Sequence, residues 1–114
     1  MTTLFHITTH KQWEQASALG TYRAPSLDTE GFIHLSTAAQ WRKTAARFFE
    51  GQQHLVLLEL DPTGLDVRFE PADGDHFPHL YGALPSSAVL RTTPFSVSAM
   101  GEVVATLDSS SPNA

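Results

Sequence analysis

The run Leu55-Val56-Leu57-Leu58, closed by Leu60, restricts the fold more than any other stretch of the chain. An extended segment sends successive side chains to opposite faces, so this run is apolar on both sides and needs cover on both. Positions 54–60 therefore predict a strand buried on both faces, with layers of structure above and below it. Glu59 interrupts the run near its end, where a strand meets solvent or a site. A chain of 114 residues is long enough to build one ordinary core around such a strand. We expect one domain over 1–108 and a polar, frayed tail over 109–114.

The flanking segments supply the layers. Residues 3–8 read as a strand with Phe5 and Ile7 on one face and His6 and Thr8 on the other. Thr9 is placed to cap a helix over 10–19, with Gln12 completing a capping box and Gly20 ending the helix. Pro25 disfavours helix at Ala24, so 22–27 is expected to be extended. After a turn at 28–31, Gly31 to Ser36 reads as a strand with Ile33 and Leu35 facing a core and Phe32, His34 and Ser36 opposite them. Ser36 is expected to cap a second helix over 37–50, with Ala38, Trp41, Ala45, Phe48 and Phe49 as its apolar stripe. Beyond the buried strand come a turn at 61–64, a short strand at 67–70 and a loop at 71–75. An extended segment at 76–82 and a strand at 88–97 follow, Pro94 putting the second half of that strand at an edge. A last edge strand is expected within 100–107. Two helices followed by several strands predict the α+β class.

Composition narrows the functional classes. Hydrophobic residues make up 41% and charged residues 17%, the balance of a globular chain. A formal charge of −5 argues against broad electrostatic binding to nucleic acid or an anionic membrane, although Arg42, Lys43 and Arg47 form a local basic cluster. The chain has no cysteine, which excludes disulfides, zinc–thiolate centres and thiol nucleophiles and fits a cytoplasmic setting. No signal-peptide pattern and no membrane-length apolar run occurs. No glycine-rich phosphate loop, nucleophile elbow or His-Glu-x-x-His helix is present.

Histidine and hydroxyl pairs carry the chemistry that remains. His6 with Thr8, and His34 with Ser36, each share the polar face of a strand. An imidazole there can act as acid, base or hydrogen-bond partner, and the hydroxyls add uncharged donors suited to a sugar or phosphate. His76-Phe77-Pro78-His79-Leu80-Tyr81-Gly82 offers His79 and Tyr81 on one side and Leu80 to the core. Glu59 and Glu70 sit at strand ends, where a carboxylate can orient a ribose or act as a base, and Glu70 precedes the His-aromatic segment. Tyr22, Phe77 and Tyr81 can stack on a flat ring. His6, His34 and His79 would meet the ligand number for zinc, but they lack a closely spaced pair on a regular element, so no metal is expected.

Three segments in order, Leu4-Phe5-His6-Ile7-Thr8, Gly31-Phe32-Ile33-His34-Leu35-Ser36 and Phe77-Pro78-His79-Leu80-Tyr81-Gly82, resemble those of the domain-of-unknown-function family 952. The resemblance runs to about residue 98. Members of that family have no established activity, and their fold is grouped with the ADP-ribosyltransferases. It implies a bent, split antiparallel sheet with peripheral helices and a cleft where NAD lies in those enzymes. His6-Ile7-Thr8 is also similar to the His-Gly-Thr strand of RNA 2′-phosphotransferases, with Ile7 in place of the glycine, and Ile33 to Ser36 is similar to their second motif.

The expectation is thus a polar cleft with His6, His34 and Glu70 as candidates for chemistry and Thr8, Ser36, His79, Tyr81 and Tyr22 as candidates for ligand contact. Its occupant would be a nucleotide or small metabolite, with NAD a possible substrate by fold analogy. The alternatives are a non-catalytic binding domain and a structural protein that docks a partner.

Overall fold

The computed structural model describes residues 2–105. Strand β1 (Leu4–Thr9) leads directly into helix α1 (His10–Leu19). The Thr9 hydroxyl caps that helix, accepting from the Gln12 backbone N–H at 3.1 Å. Gly20 ends it at φ 83°, a left-handed conformation that glycine adopts without a Cβ clash.

The expectation of an extended stretch at 22–27 fails after Ala24. Strand β2 (Thr21–Tyr22) is followed by the short helix α2 (Pro25–Thr29). Ala24 is extended, at ψ 152°, as the residue before proline should be. Pro25 itself opens the helix at the first position, where its missing N–H has no intrahelical partner to lose.

Strand β3 is also shorter than expected, Ile33–His34 alone. Leu35 and Ser36 continue its path without full pairing. Leu35 donates to the Pro78 carbonyl at 2.9 Å, and Ser36 exchanges two backbone hydrogen bonds with Phe5, at 2.7 and 2.8 Å. Ser36 is therefore not a helix cap, because its backbone is committed to β1. Helix α3 starts later, at Trp41–Phe48, after a turn in which Gln40 Oε1 accepts from the Thr37 N–H at 3.0 Å. Trp41 and Ala45 are buried as the stripe requires, whereas Ala38 and Phe48 are exposed.

Strand β4 (Leu55–Leu60) is the buried strand expected from its sequence. Strands β5 (Val67–Ala72) and β6 (Asp75–Leu80) form a hairpin through positions expected to be a loop. Asp73 at φ 50° and Gly74 at φ 80° supply the two left-handed residues of a tight two-residue turn. Strand β7 (Leu84–Pro85) pairs with β2, and β8 (Val89–Val97) and β9 (Val103–Ala105) complete the fold. Pro94 does not interrupt β8. It lies opposite Val56 on one side, and β9 covers only Phe95 to Val97 on the other. The rest of 100–107 beyond Ala105, and the tail expected over 109–114, lie outside the described residues.

Every strand pairing among the described residues is antiparallel. A four-stranded sheet runs β1-β4-β8-β9 and a three-stranded sheet runs β3-β6-β5, with β2 and β7 as a separate pair. The Phe5–Ser36 bridge ties the two larger sheets together. Strand β4 serves two cores, as its composition demands. Val56, Leu58 and Leu60 join Leu4, Ile33 and Leu80 on one face, and Leu55 and Leu57 join Ile7, Trp41 and Phe95 on the other. With few helices and antiparallel sheets, the class is α+β. No helix among the described residues is long and apolar enough to cross a membrane.

Candidate functional site

Leu4, His6 and Thr8 share one face of β1, and Leu4 packs in the core that also holds Ile33 and Leu80. His6 and Thr8 are therefore drawn inward together, and both are buried. They meet a cavity of about 400 Å³, within the range of about 300–1,000 Å³ common for small-molecule sites. His34, Ser36 and His79 line the same cavity. The period-2 patterns predict both histidines on one face of a shared sheet; β1 and β3 instead belong to different sheets, and the two histidines meet only at this cavity.

His6 is held at both nitrogens. Nδ1 lies 2.6 Å from the His34 carbonyl, which can only accept, so Nδ1 carries the proton. Nε2 of the neutral ring then accepts from the Tyr22 hydroxyl at 2.8 Å. The Tyr22 oxygen is 3.1 Å from Thr8 Oγ1, which is 2.9 Å from Gln12 Oε1. Burial lowers the His6 pKa to about 4, with the bond to the His34 carbonyl opposing that shift. Burial also raises the Tyr22 pKa. His6 and Tyr22 are thereby neutral hydrogen-bonding groups in the wall of the cavity at pH 7.

His79 is built differently. Its Nδ1 lies 2.8 Å from Glu70 Oε1, and Phe32 stacks on its ring at 4.0 Å and 18°. Its Nε2 is buried without a hydrogen-bond partner among the described residues. A buried polar atom left unpaired costs about 1–3 kcal/mol, so the ring is kept in place at some expense. Glu70 also accepts from the Tyr81 hydroxyl at 2.5 Å. That bond first, and His79 second, hold the Glu70 carboxyl below the usual carboxylate range. The same bond raises the Tyr81 pKa. Arg68 lies over the Tyr81 ring at 4.1 Å.

Residues expected in one cleft therefore occupy two tiers. His6, Thr8, Tyr22, His34, Ser36 and His79 line the cavity, while Glu70 and Tyr81 stand behind His79 and reach it only through that ring. Glu59 is elsewhere, 3.7 Å from Arg91 on the neighbouring strand. His34 is half-exposed, and its Nε2 is 3.0 Å from Glu30 Oε2. Among the described residues no group of three or more His, Cys, Asp or Glu is arranged to hold a metal ion.

Sequence reasoning missed several contributors. Phe32 lies edge-on to His34 at 4.9 Å and flat on His79, a role signalled only by its shared strand parity with His34. Glu30 precedes His34 by four residues, with no regular element there to make that spacing meaningful. Gln12 was read as a cap, yet it also lines the cavity. Phe48 and Phe49, read only as part of a helix stripe, add aromatic wall beside Phe77, which the sequence did single out. The lining includes no lysine or arginine.

This fold and site define a small α+β domain with a cavity lined from two antiparallel sheets, its walls mostly apolar, not polar as expected, with a few polar groups among them. The family model described as "Protein of unknown function (DUF952)" matches residues 7–92, and the chain belongs to that family. A crystal structure of protein CC0527 from Caulobacter crescentus is similar, at 37% identity and a TM-score of 0.81, over 90% of this chain and 93% of that one. The solution structure of CC0527 gives 38% identity and a TM-score of 0.76, over 90% and 91%. A search of curated proteins found no match.

Proposed function

We propose that the cleft binds a small, uncharged, hydroxylated metabolite of sugar or nucleoside size. The observation that carries this reading is the His79 imidazole, oriented by Glu70 and Phe32 at the cavity wall with its second nitrogen unpaired. A ligand O–H or N–H donated to that nitrogen offsets the cost of its burial. Phe49 and Phe77 give the flat face of a sugar or base an apolar wall, and Thr8, Ser36 and Gln12 are hydroxyl and amide partners for its edge. The absence of lysine and arginine from the lining favours an uncharged ligand over a pyrophosphate.

A nucleotide-handling transferase with an ADP-ribosyltransferase-like fold is the second reading. The split between the two sheets, with the cavity alongside it, favours it. In that reading NAD is a substrate and Glu70 acts through His79 rather than on the ribose itself. Fold kinship alone does not assign this chemistry.

Thermal unfolding with D-ribose, adenosine, ADP-ribose and NAD separates the two. A ligand that binds only the folded chain raises the midpoint by mass action. We expect D-ribose or adenosine to do so, and ADP-ribose and NAD to add nothing beyond adenosine. Tighter binding of ADP-ribose or NAD by tenfold or more selects the transferase reading. No shift with any of the four refutes the small-metabolite reading.

A further inference from the structure

The cavity holds a second histidine built like the first. His34 Nε2 lies 3.0 Å from the Glu30 carboxylate, and His79 Nδ1 lies 2.8 Å from the Glu70 carboxylate. Each ring therefore has one nitrogen fixed by an acid and the other without a protein partner among the described side-chain hydrogen bonds. Phe32 packs against both rings, edge-on to His34 and flat on His79, and the two imidazoles meet edge to face with centroids 5.4 Å apart. Both line the one cavity. They differ in exposure, since the His34 side chain is 54% accessible and that of His79 is 6%. His34 can thus exchange protons with solvent while His79 is sheltered from it.

We propose that His34 and His79 are an acid–base couple that moves two protons within one bound molecule, and that the substrate class is the cyclic hemiacetal of an uncharged reducing sugar. This rests on the small-metabolite reading of the cleft. The hydroxyl on the anomeric carbon gives its proton to His79 Nε2, and the electron pair left on that oxygen closes a carbonyl. The bond from the anomeric carbon to the ring oxygen breaks, and the ring oxygen takes a proton from Nδ1 of the protonated His34. Ring closure on either face of the carbonyl returns both protons along the same paths. The cycle interconverts the two anomers and resets both histidines, with no metal, oxidant or outside group consumed. Walls without lysine or arginine suit it, because the substrate carries no net charge at any stage. Glu30 and Glu70 are positioning residues that fix which nitrogen of each ring faces the reaction.

The test follows interconversion of freshly dissolved α-anomers of D-ribose and D-glucose by proton NMR, with and without the protein, beside thermal-shift binding of the same sugars. The expected result is a protein-dependent rate above that of buffer for a sugar that binds. His34→Gln, a change at a half-exposed side chain, should lower that rate by about 100-fold when compared at saturating sugar, the scale of one general acid or base. In ¹⁵N spectra of the neutral rings, His79 should carry its proton on Nδ1 and His34 on Nε2, and Glu30→Gln should shift the His34 tautomer. Binding without acceleration, or acceleration that survives His34→Gln, overturns the couple and leaves the binding reading intact. If neither sugar binds or interconverts faster, the couple is refuted, and adenosine then decides the binding reading separately.

Discussion

Burying His6 ties the stability of the chain to pH through one ring. Its pKa is lowered from 6.5 to about 4 in the folded state. Between those values the unfolded chain binds the proton and the folded chain does not, so stability falls as pH drops from 6.5 and levels off below about 4. Above 6.5 both states hold a neutral ring and the effect vanishes. At about 1.4 kcal/mol per pH unit, the loss across the window approaches 3 kcal/mol. Glu70 works at lower pH, since its depressed pKa gives stability that is lost only as pH falls below the ordinary carboxylate range. Urea unfolding at pH 7.0 and 5.0 isolates the histidine. The parent should lose about 2 kcal/mol between them, and His6→Gln, already weaker at pH 7, should show a much flatter slope. Equal slopes in both proteins would mean that His6 is not held neutral by burial.

Among the elements, α3 separates what a helical pattern can say from what it cannot. Trp41 is 8% exposed, stacked on Phe5 at 6.3 Å and edge-on to Phe95 at 5.8 Å, whereas Phe48, seven residues later on the same stripe, is 57% exposed. Trp41→Ala should destabilise by about 3–5 kcal/mol and Phe48→Ala by about 0.5 kcal/mol or less, as equilibrium denaturation would measure. A large loss at Phe48 would place that ring in the core. Spacing identified the stripe, but tertiary packing decides which of its residues are covered, and the point at which the helix starts depends on Ser36. Its backbone pairs with Phe5, so the helix cannot begin at residue 37. This contact is remote in sequence, which is why local rules misplaced the helix start. Where the deciding contacts were local, as in the Thr9 cap, the Gly20 stop and the run at 55–60, the elements were legible. Asp73-Gly74 was also legible as a hairpin turn, and reading it as a loop undervalued two residues suited to positive φ. The site followed the same division. Strand parity pointed to His6, Thr8, His34 and Ser36, which line one cavity, whereas the Phe32–His79 stack and the Glu70–His79 pair arise only when β3, β5 and β6 come together.

Taken whole, the described residues form two larger antiparallel sheets and the β2–β7 pair, and the larger two share a core but few backbone hydrogen bonds, which sets how the molecule should open. Strand β4 is hydrogen-bonded on both sides and packs into both cores, so its amides can be released only by losing both. The β5–β6 hairpin is bonded to the rest through β3, two residues long, and β5 is an edge whose side chains are largely solvent-facing. It is tied to α3 by Gln40, whose Nε2 donates to the His76 carbonyl at 2.8 Å, and by an exposed Arg47–Asp73 ion pair at 3.4 Å. Exposed pairs contribute about 0–1 kcal/mol, so these ties are weak beside the burial that holds β4. Native-state hydrogen exchange should therefore show the amides of Val56 and Leu58 exchanging only with global unfolding. The paired amides of the outer hairpin, around Glu70 and Phe77, should exchange through a smaller opening with a lower free energy and a weaker denaturant dependence. That opening would separate Glu70 from His79 and the rear of the site from its lining. A single exchange free energy across both sheets would instead mean that the Phe5–Ser36 bridge and the shared core make the two halves one cooperative unit.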